Sequence, residues 1–201
     1  STCSIYGVNN GLISEETEPN PLSLYAATKL QAEKYIRNNM DNYIIFRLGT
    51  LFGLGDQHSR IRLDLVANIL SMRAAQGKPL TIFGGDQWRP LLHVKDAGEA
   101  FVYSLENEIT GYYNLSYKNY TIQNLASEIA KSIPNTEINY VDMPFEDLRN
   151  YRVDDSKFAS LGWRPKYSLE DGVEEIYNLI VEQRVKDTED MVYSNARYIK
   201  L

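Results

Sequence analysis

Two alternating periodicities predict an α/β fold. Short apolar runs rich in β-branched and aromatic residues, at 43–48, 80–83 and 112–115, have the length and character of buried strands. Elsewhere apolar residues recur every three or four positions, as in Ile122, Leu125, Ile129 and Ile133, or Leu169, Val173, Ile176 and Ile180. Strands that alternate with amphipathic helices predict a sheet covered by helices.

Taken in order, residues 1–7 read as the end of a buried strand passing into a loop. Residues 9–21 are polar, with Glu15, Glu16 and Glu18, and Pro19 and Pro21 prevent an early helix. A helix carrying Tyr25 and Lys29 then runs through Ala32, Tyr35 and Ile36 to about Asn38. The run Tyr43-Ile-Ile-Phe-Arg-Leu48 is a strand, and Gly49, Gly53 and Gly55 mark a flexible turn after it. A helix is expected over 61–75.

Residues 80–83 form a strand closed by Gly84 and Gly85, and 90–94 a short extended piece. Asp96 with Glu99 three residues on signals a helix start, with Ala97, Ala100, Phe101 and Leu105 on one face. Gly111 ends that unit and a strand follows over 112–115. Thr121 caps the next helix, 137–141 is a strand, and Ser168 with Asp171 opens the last long helix.

The composition is that of a globular protein, with 43% apolar and 24% charged residues in 201. No run approaches the ~18 apolar residues of a membrane helix. A net charge of −6 argues against a nucleic-acid partner, which needs clustered Lys and Arg. Cys3 is the only cysteine, so no intrachain disulfide forms, in keeping with a cytoplasmic location. Two His and one Cys without ligand spacing predict no metal site.

The candidate chemistry lies in Tyr25-Ala-Ala-Thr-Lys29, read with Ser1-Thr2-Cys3-Ser4-Ile5-Tyr6-Gly7. Residues four apart share a helix face, so the Tyr25 phenol and the Lys29 ammonium can approach one ligand. A free tyrosine has a pKa near ~10, and a neighbouring cation lowers it, which suits acid/base work. Thr2 would hold the oxygen of a substrate alcohol or ketone while Tyr25 moves its proton. In a chain with 15 tyrosines the Tyr-x-x-x-Lys spacing also arises by chance.

Its company is more specific. STCSIYG, EETEPNPLSLYAATKLQAE, FRLGTLFGLG and FGGDQWRPLLHVKDAGEAF, in this order, resemble the extended short-chain dehydrogenase/reductases that modify nucleotide sugars. The resemblance covers almost the whole chain. It implies part of a Rossmann-like doubly wound parallel sheet with an interleaved smaller α/β substrate-binding region. On that basis residues 1–106 are the C-terminal part of the NAD-binding domain, with substrate-binding segments interleaved, and 107–201 are mainly substrate-binding.

The resemblance also implies roles. Thr2 matches the Ser/Thr that bonds the reacting sugar oxygen, Tyr25 the acid/base, and Lys29 the residue that binds the nicotinamide ribose. Arg89 and Arg149 match arginines that grip the nucleotide diphosphate, and a planar guanidinium suits that contact. Asn68 resembles an asparagine that bonds the diphosphate. Thr50 stands where an asparagine commonly touches the substrate, a departure that leaves the sugar contact open. His93 matches a structural position, and His58 sits in a polar loop.

Members that eliminate water carry an Asp-Glu pair just after the Ser/Thr, where this chain has Cys3 and Ser4. The implied activity is therefore NAD-dependent 4-epimerisation of a nucleotide-diphosphate sugar. Nucleotide-sugar 4-ketoreduction is the second reading and 4,6-dehydration the third. NADP is not separated from NAD. The family's glycine-rich dinucleotide turn is missing from the sequence. The resemblance thus implies the C-terminal portion of a longer enzyme, inactive alone, while a non-catalytic sugar-nucleotide-binding protein stays open as a reading from another class. A homodimer through the helix bearing Tyr25 and Lys29 is implied too, with Leu30, Lys34 and Arg37 toward the partner.

Overall fold

A computed structural model describes residues 1–141 and 150–195. Its strands are β1 (Val8–Ile13), β2 (Ile44–Leu48), β3 (Thr50–Phe52), β4 (Leu80–Phe83), β5 (Trp88–His93), β6 (Gly111–Leu115), β7 (Lys118–Thr121), β8 (Ile138–Val141) and β9 (Asn150–Val153). The helices are α1 (Leu24–Asn39), α2 (Val66–Ala75), α3 (Val94–Glu106), α4 (Ile122–Ser132), α5 (Ser156–Ala159) and α6 (Leu169–Val181). Short 3₁₀ turns occupy Cys3–Tyr6 and Met191–Tyr193. Among the described residues no helix is long and apolar enough to cross a membrane.

β2 pairs in parallel with β6 along its whole length, Ile44 opposite Gly111 through Leu48 opposite Leu115. Thr2 makes a parallel bridge to Leu48 on the other side of β2. Three extended segments thus lie side by side, as a doubly wound parallel sheet requires. Phe46, Tyr113 and Leu115 pack from this sheet against Ala97 and Ala100 of α3 and against Phe158 and Trp163.

A second layer is built from β3, β5 and β7, where β3 runs parallel and β7 antiparallel to β5. β4 pairs with β8, and β1 with β9, both in parallel. The apolar stripes of α2, α4 and α6 close on this layer through Ala67, Leu70, Leu125, Ile129, Leu169 and Val173. Thr121 caps α4, and Ser168 with Asp171 forms a reciprocal capping box on α6, as read from the sequence.

Several local expectations are corrected. The polar stretch at 9–21 contains all of β1 but Val8, and its mostly exposed residues hide a strand that exists by pairing with β9. The glycine turn after β2 encloses β3, held by β5. Residues 61–65 are not helical, and α2 starts only at Val66. α3 begins two residues before Asp96 and is capped by His93, whose Nδ1 accepts from the Lys95 N–H at 3.2 Å. Asp96 instead reaches back to the amides of Lys166 and Tyr167, at 2.8 and 3.1 Å. On the same helix Ala97 and Ala100 are buried, but Leu105 is 76% exposed.

Candidate active site

The site is assembled by the ends of β2 and β3. Thr2 stops its strand against Leu48 and caps the 3₁₀ turn, its Oγ1 accepting the Ser4 N–H at 3.2 Å. Gly7 follows with φ +69, and a Cβ there would lie 2.2 Å from the carbonyl oxygen of Asn20. That close approach folds the 14–22 loop back over the turn, where the Asn20 N–H donates to the Ile5 carbonyl. Ser23 then accepts from the Ala26 N–H and starts α1, so that Tyr25 sits in its first turn.

One cleft of about 930 Å³ opens here. Thr2, Tyr25, Thr50 and Arg89 all line it, so four of the seven candidate residues share one cavity. Thr2 is 8% and Arg89 5% exposed, whereas Tyr25 is 55% exposed. The Arg89 Nη1 donates to the Trp88 carbonyl at 2.9 Å. Lys29 is exposed one turn beyond Tyr25, with Nζ 5.7 Å from the centre of its ring.

Asn68 does not line the cleft. Its Oδ1 accepts from the Gly53 N–H at 2.9 Å, and its Nδ2 donates to the carbonyls of Arg62 and Gly53. Both amide protons therefore hold the loop that leads into α2, and a diphosphate, which accepts only, would have to displace one. Arg149 lies outside the described residues. Leu30, one of three residues expected toward a partner, packs on Cys3, Ile5, Tyr6 and Ile13.

Several residues of the site were not read from the sequence. Ser4 and Tyr151 line the cleft beside Thr2, and Arg62, Asp64 and Arg73 line it beside Thr50. Asp64 accepts from the Arg62 Nε and the Asn195 N–H, both at 2.7 Å. Burial acts to raise its pKa, but those two bonds outweigh it and keep the carboxyl ionised below its ordinary range. It is the only carboxylate on the cleft wall among the described residues.

Behind the cleft, Arg47 of β2 is buried against Glu33 of α1, Nη2 to Oε2 at 2.8 Å, with Nε 3.2 Å from each carboxylate oxygen. Arg47 Nη1 also donates to Tyr6 Oη and the Glu15 carbonyl, and Tyr6 Oη donates to Asn114 at 2.7 Å. Burial pushes the Tyr6 phenol up despite Arg47, so it stays a neutral donor. The only signal for this network in the sequence is an arginine inside an apolar strand.

On the far side of β5, His93 is fully buried and its Nε2 meets Glu175 Oε2 at 3.1 Å. Because His93 Nδ1 accepts from Lys95 N–H, Nε2 carries the proton and donates. Glu175 also accepts from the Leu54 N–H at 2.7 Å and pairs with Lys95. Burial acts to raise the Glu175 pKa, but the bonds from His93, Lys95 and Leu54 prevail and hold it down to about 2.

The cleft thus joins Thr2 beside the end of β2, Tyr25 in the first turn of α1 and Arg89 on β5, at the edge of a parallel sheet where α/β folds bind their ligands. Residues 1–116 match the NAD dependent epimerase/dehydratase family, and the chain belongs to it. It is 29% identical over 181 residues to the dTDP-L-rhamnose 4-epimerase of Burkholderia thailandensis, covering 85% of this chain and 49% of that one. The UDP-glucuronic acid 4-epimerase of Bacillus cereus, solved with UDP-glucuronic acid and NAD, superposes with a TM-score of 0.73 at 32% identity. That match covers 90% of this chain and 60% of the other. The UDP-N-acetylglucosamine 4-epimerase of Methanobrevibacter ruminantium gives a TM-score of 0.77 at 25% identity, over 91% and 62%. The chain thus spans about half to three fifths of the length of these relatives.

Proposed function

We propose that the chain is the substrate-facing part of an NAD-dependent nucleotide-sugar epimerase that inverts C4 through a transient ketone, in the cytoplasm. The observation that carries this reading is the convergence of Thr2, Tyr25, Thr50 and Arg89 on one cleft. Its volume of about 930 Å³ suits a nucleotide sugar.

In this reading Arg89 binds the diphosphate, with Arg62 and Arg73 adding positive charge on the same wall. Thr50 lies where the sugar would sit. Thr2 holds the sugar's C4 oxygen, and Tyr25 takes the hydroxyl proton and later returns it. The residues present fit the nicotinamide end of the cofactor: Tyr25 and Lys29 are both exposed, and the ammonium brings three donors for ribose hydroxyls. Bound there, NAD would accept hydride from C4 and give it back. The exposed side of α1, with Leu24 at 81% and Tyr35 at 65%, supports a homodimer through this helix.

Epimerisation is favoured over dehydration by what stands beside Thr2. Eliminating water takes an additional acid and base. Cys3 is wholly buried with its Sγ on the Arg47 carbonyl, Ser4 carries only a hydroxyl, and Asp64 is held ionised by Arg62 and Asn195. Tyr25→Phe in the intact enzyme tests the reading. Turnover should fall by about 10²-fold or more, with nucleoside diphosphate binding unchanged, and a variant as active as the parent would overturn it.

A further inference from the structure

The segment that follows α6 returns to the cleft. Asp190 accepts the Val192 N–H at 2.9 Å and starts the 3₁₀ turn Met191–Tyr193. Tyr193 packs on the cluster of Leu63, Met72, Ile176 and Leu179, where α2 meets α6. Its carbonyl accepts the Leu63 N–H at 3.0 Å, and Arg60 Nη1 donates to the Val192 carbonyl at 2.8 Å. The Asn195 N–H donates to Asp64 Oδ2 at 2.7 Å, and Arg60 Nη2 donates to Asn195 Oδ1. These bonds tie residues 192–195 to residues 60–64.

The tie ends on a guanidinium. Asp64 Oδ1 accepts from Arg62 Nε at 2.7 Å, and Asn68 Nδ2 holds the Arg62 carbonyl at 2.8 Å. Arg62 is therefore fixed at its backbone and at Nε, while neither Nη nitrogen has a partner among the described residues. Arg62, Asp64 and Asn195 all line the cleft. A guanidinium held by Nε alone keeps its Nη edge for a two-point contact with an oxyanion. By Coulomb's law a carboxylate in such a wall repels a diphosphate. Asp64 offsets that repulsion only if it aims Arg62.

We propose that residues 190–195 are a strap that sets the phosphate affinity of the cleft: Asn195 holds Asp64, and Asp64 turns the Nη edge of Arg62 to the substrate's diphosphate. Arg62 is then a substrate-binding residue, and Asp64 and Asn195 are positioning residues. The inference rests on the reading of the cleft as a nucleotide-diphosphate-sugar site.

Two variants separate the Asn195 backbone from its side chain. Asn195→Ala keeps the N–H that bonds Asp64. Asn195→Pro removes it, and Ser194, with φ −129 and ψ 122, already has the extended backbone that the residue before a proline needs.

The test is titration calorimetry of a nucleoside diphosphate, and of the nucleoside without phosphate, on the intact enzyme with NAD bound. Arg62→Gln and Asp64→Ala should each weaken diphosphate binding by about tenfold, the size of a charge-assisted hydrogen bond. Nucleoside affinity and the melting temperature should stay near those of the parent in both, because a partly exposed ion pair adds little stability. Asp64→Ala in the Arg62→Gln background should add no further loss, since the carboxylate acts through the guanidinium. Asn195→Pro should weaken diphosphate binding more than Asn195→Ala does. Unchanged or tighter diphosphate binding by Asp64→Ala would overturn the proposal, as would a full further loss from that change in the absence of Arg62. A parent enzyme that binds no nucleoside diphosphate would instead overturn the reading of the cleft on which the strap rests.

Discussion

Glu33 and Arg47 meet in a two-point ion pair at 2.8 Å, with both side chains at most 3% exposed. The pair joins the middle of α1 to the centre of β2. Beyond it α1 has a narrow apolar contact, with Ala26 its only other fully buried residue and Leu30 half-buried against Cys3, Ile5, Tyr6 and Ile13. The helix that presents Tyr25 is therefore fixed to the sheet chiefly by charge rather than by an apolar stripe.

Removing one partner of a buried pair leaves an uncompensated charge, which costs about 3–5 kcal/mol. Glu33→Gln keeps the shape and removes the charge, so it should lower the unfolding free energy by an amount near that range. Replacing both residues with apolar ones of similar volume should cost less than the single change. Denaturant unfolding of the three variants decides this, and a Glu33→Gln variant as stable as the parent would show that the pair does not anchor α1.

Glu175 gives stability an acid limb. Its folded pKa, about 2, lies below the ordinary glutamate value near ~4.3, so the unfolded chain binds the proton first. The stabilisation is complete above the unfolded value and is lost as pH falls through about 4 toward about 2. The melting temperature should drop across that window, and Glu175→Gln should be less stable at neutral pH with a flatter profile below it. Parallel profiles for the two proteins would contradict the assignment.

The elements legible in the sequence were those with their own periodicity and caps: β2, β6, α4 with Thr121, and α6 with its capping box. β1 and β9 were not, because a strand of exposed residues such as Val8 and Leu12 exists only through its partner. The same division holds in the cleft. Thr2, Tyr25, Thr50 and Arg89 carry recognisable local patterns, whereas Ser4 and Tyr151 are joined across 147 positions that no spacing rule connects. Asn68 shows the converse: its residue type suits a ligand contact, but its carboxamide serves the backbone of the loop it faces.

Gly53 makes that loop intolerant of any side chain. Its φ is +77, and a Cβ would lie 2.0 Å from His93 Nε2. Gly53→Ala combines left-handed strain, ~1 kcal/mol or more, with displacement of the ring that donates to Glu175. The expected loss exceeds about 2 kcal/mol, with the acid limb described above reduced as well. Calorimetry at neutral and acidic pH checks both, and an unchanged acid limb would mean that the His93 to Glu175 bond survives the insertion.

Arg89 is the residue through which diphosphate recognition can be separated from catalysis. It is 5% exposed, lines the cleft and is held by its own Nη1 bond to the Trp88 carbonyl. A planar guanidinium on the cleft wall can meet two phosphate oxygens at once, while a lysine ammonium offers a point charge on a flexible stem. Arg89→Lys should therefore weaken nucleoside diphosphate binding by about tenfold, one charge-assisted hydrogen bond being ~1.5 kcal/mol or more. A nucleoside without phosphate should bind the variant and the parent alike. Titration calorimetry with both ligands on the intact enzyme measures the difference. Equal losses for the two ligands would mean that Arg89 supports the wall of the cleft rather than the phosphates, and an unchanged diphosphate affinity would move that role to Arg62 and Arg73.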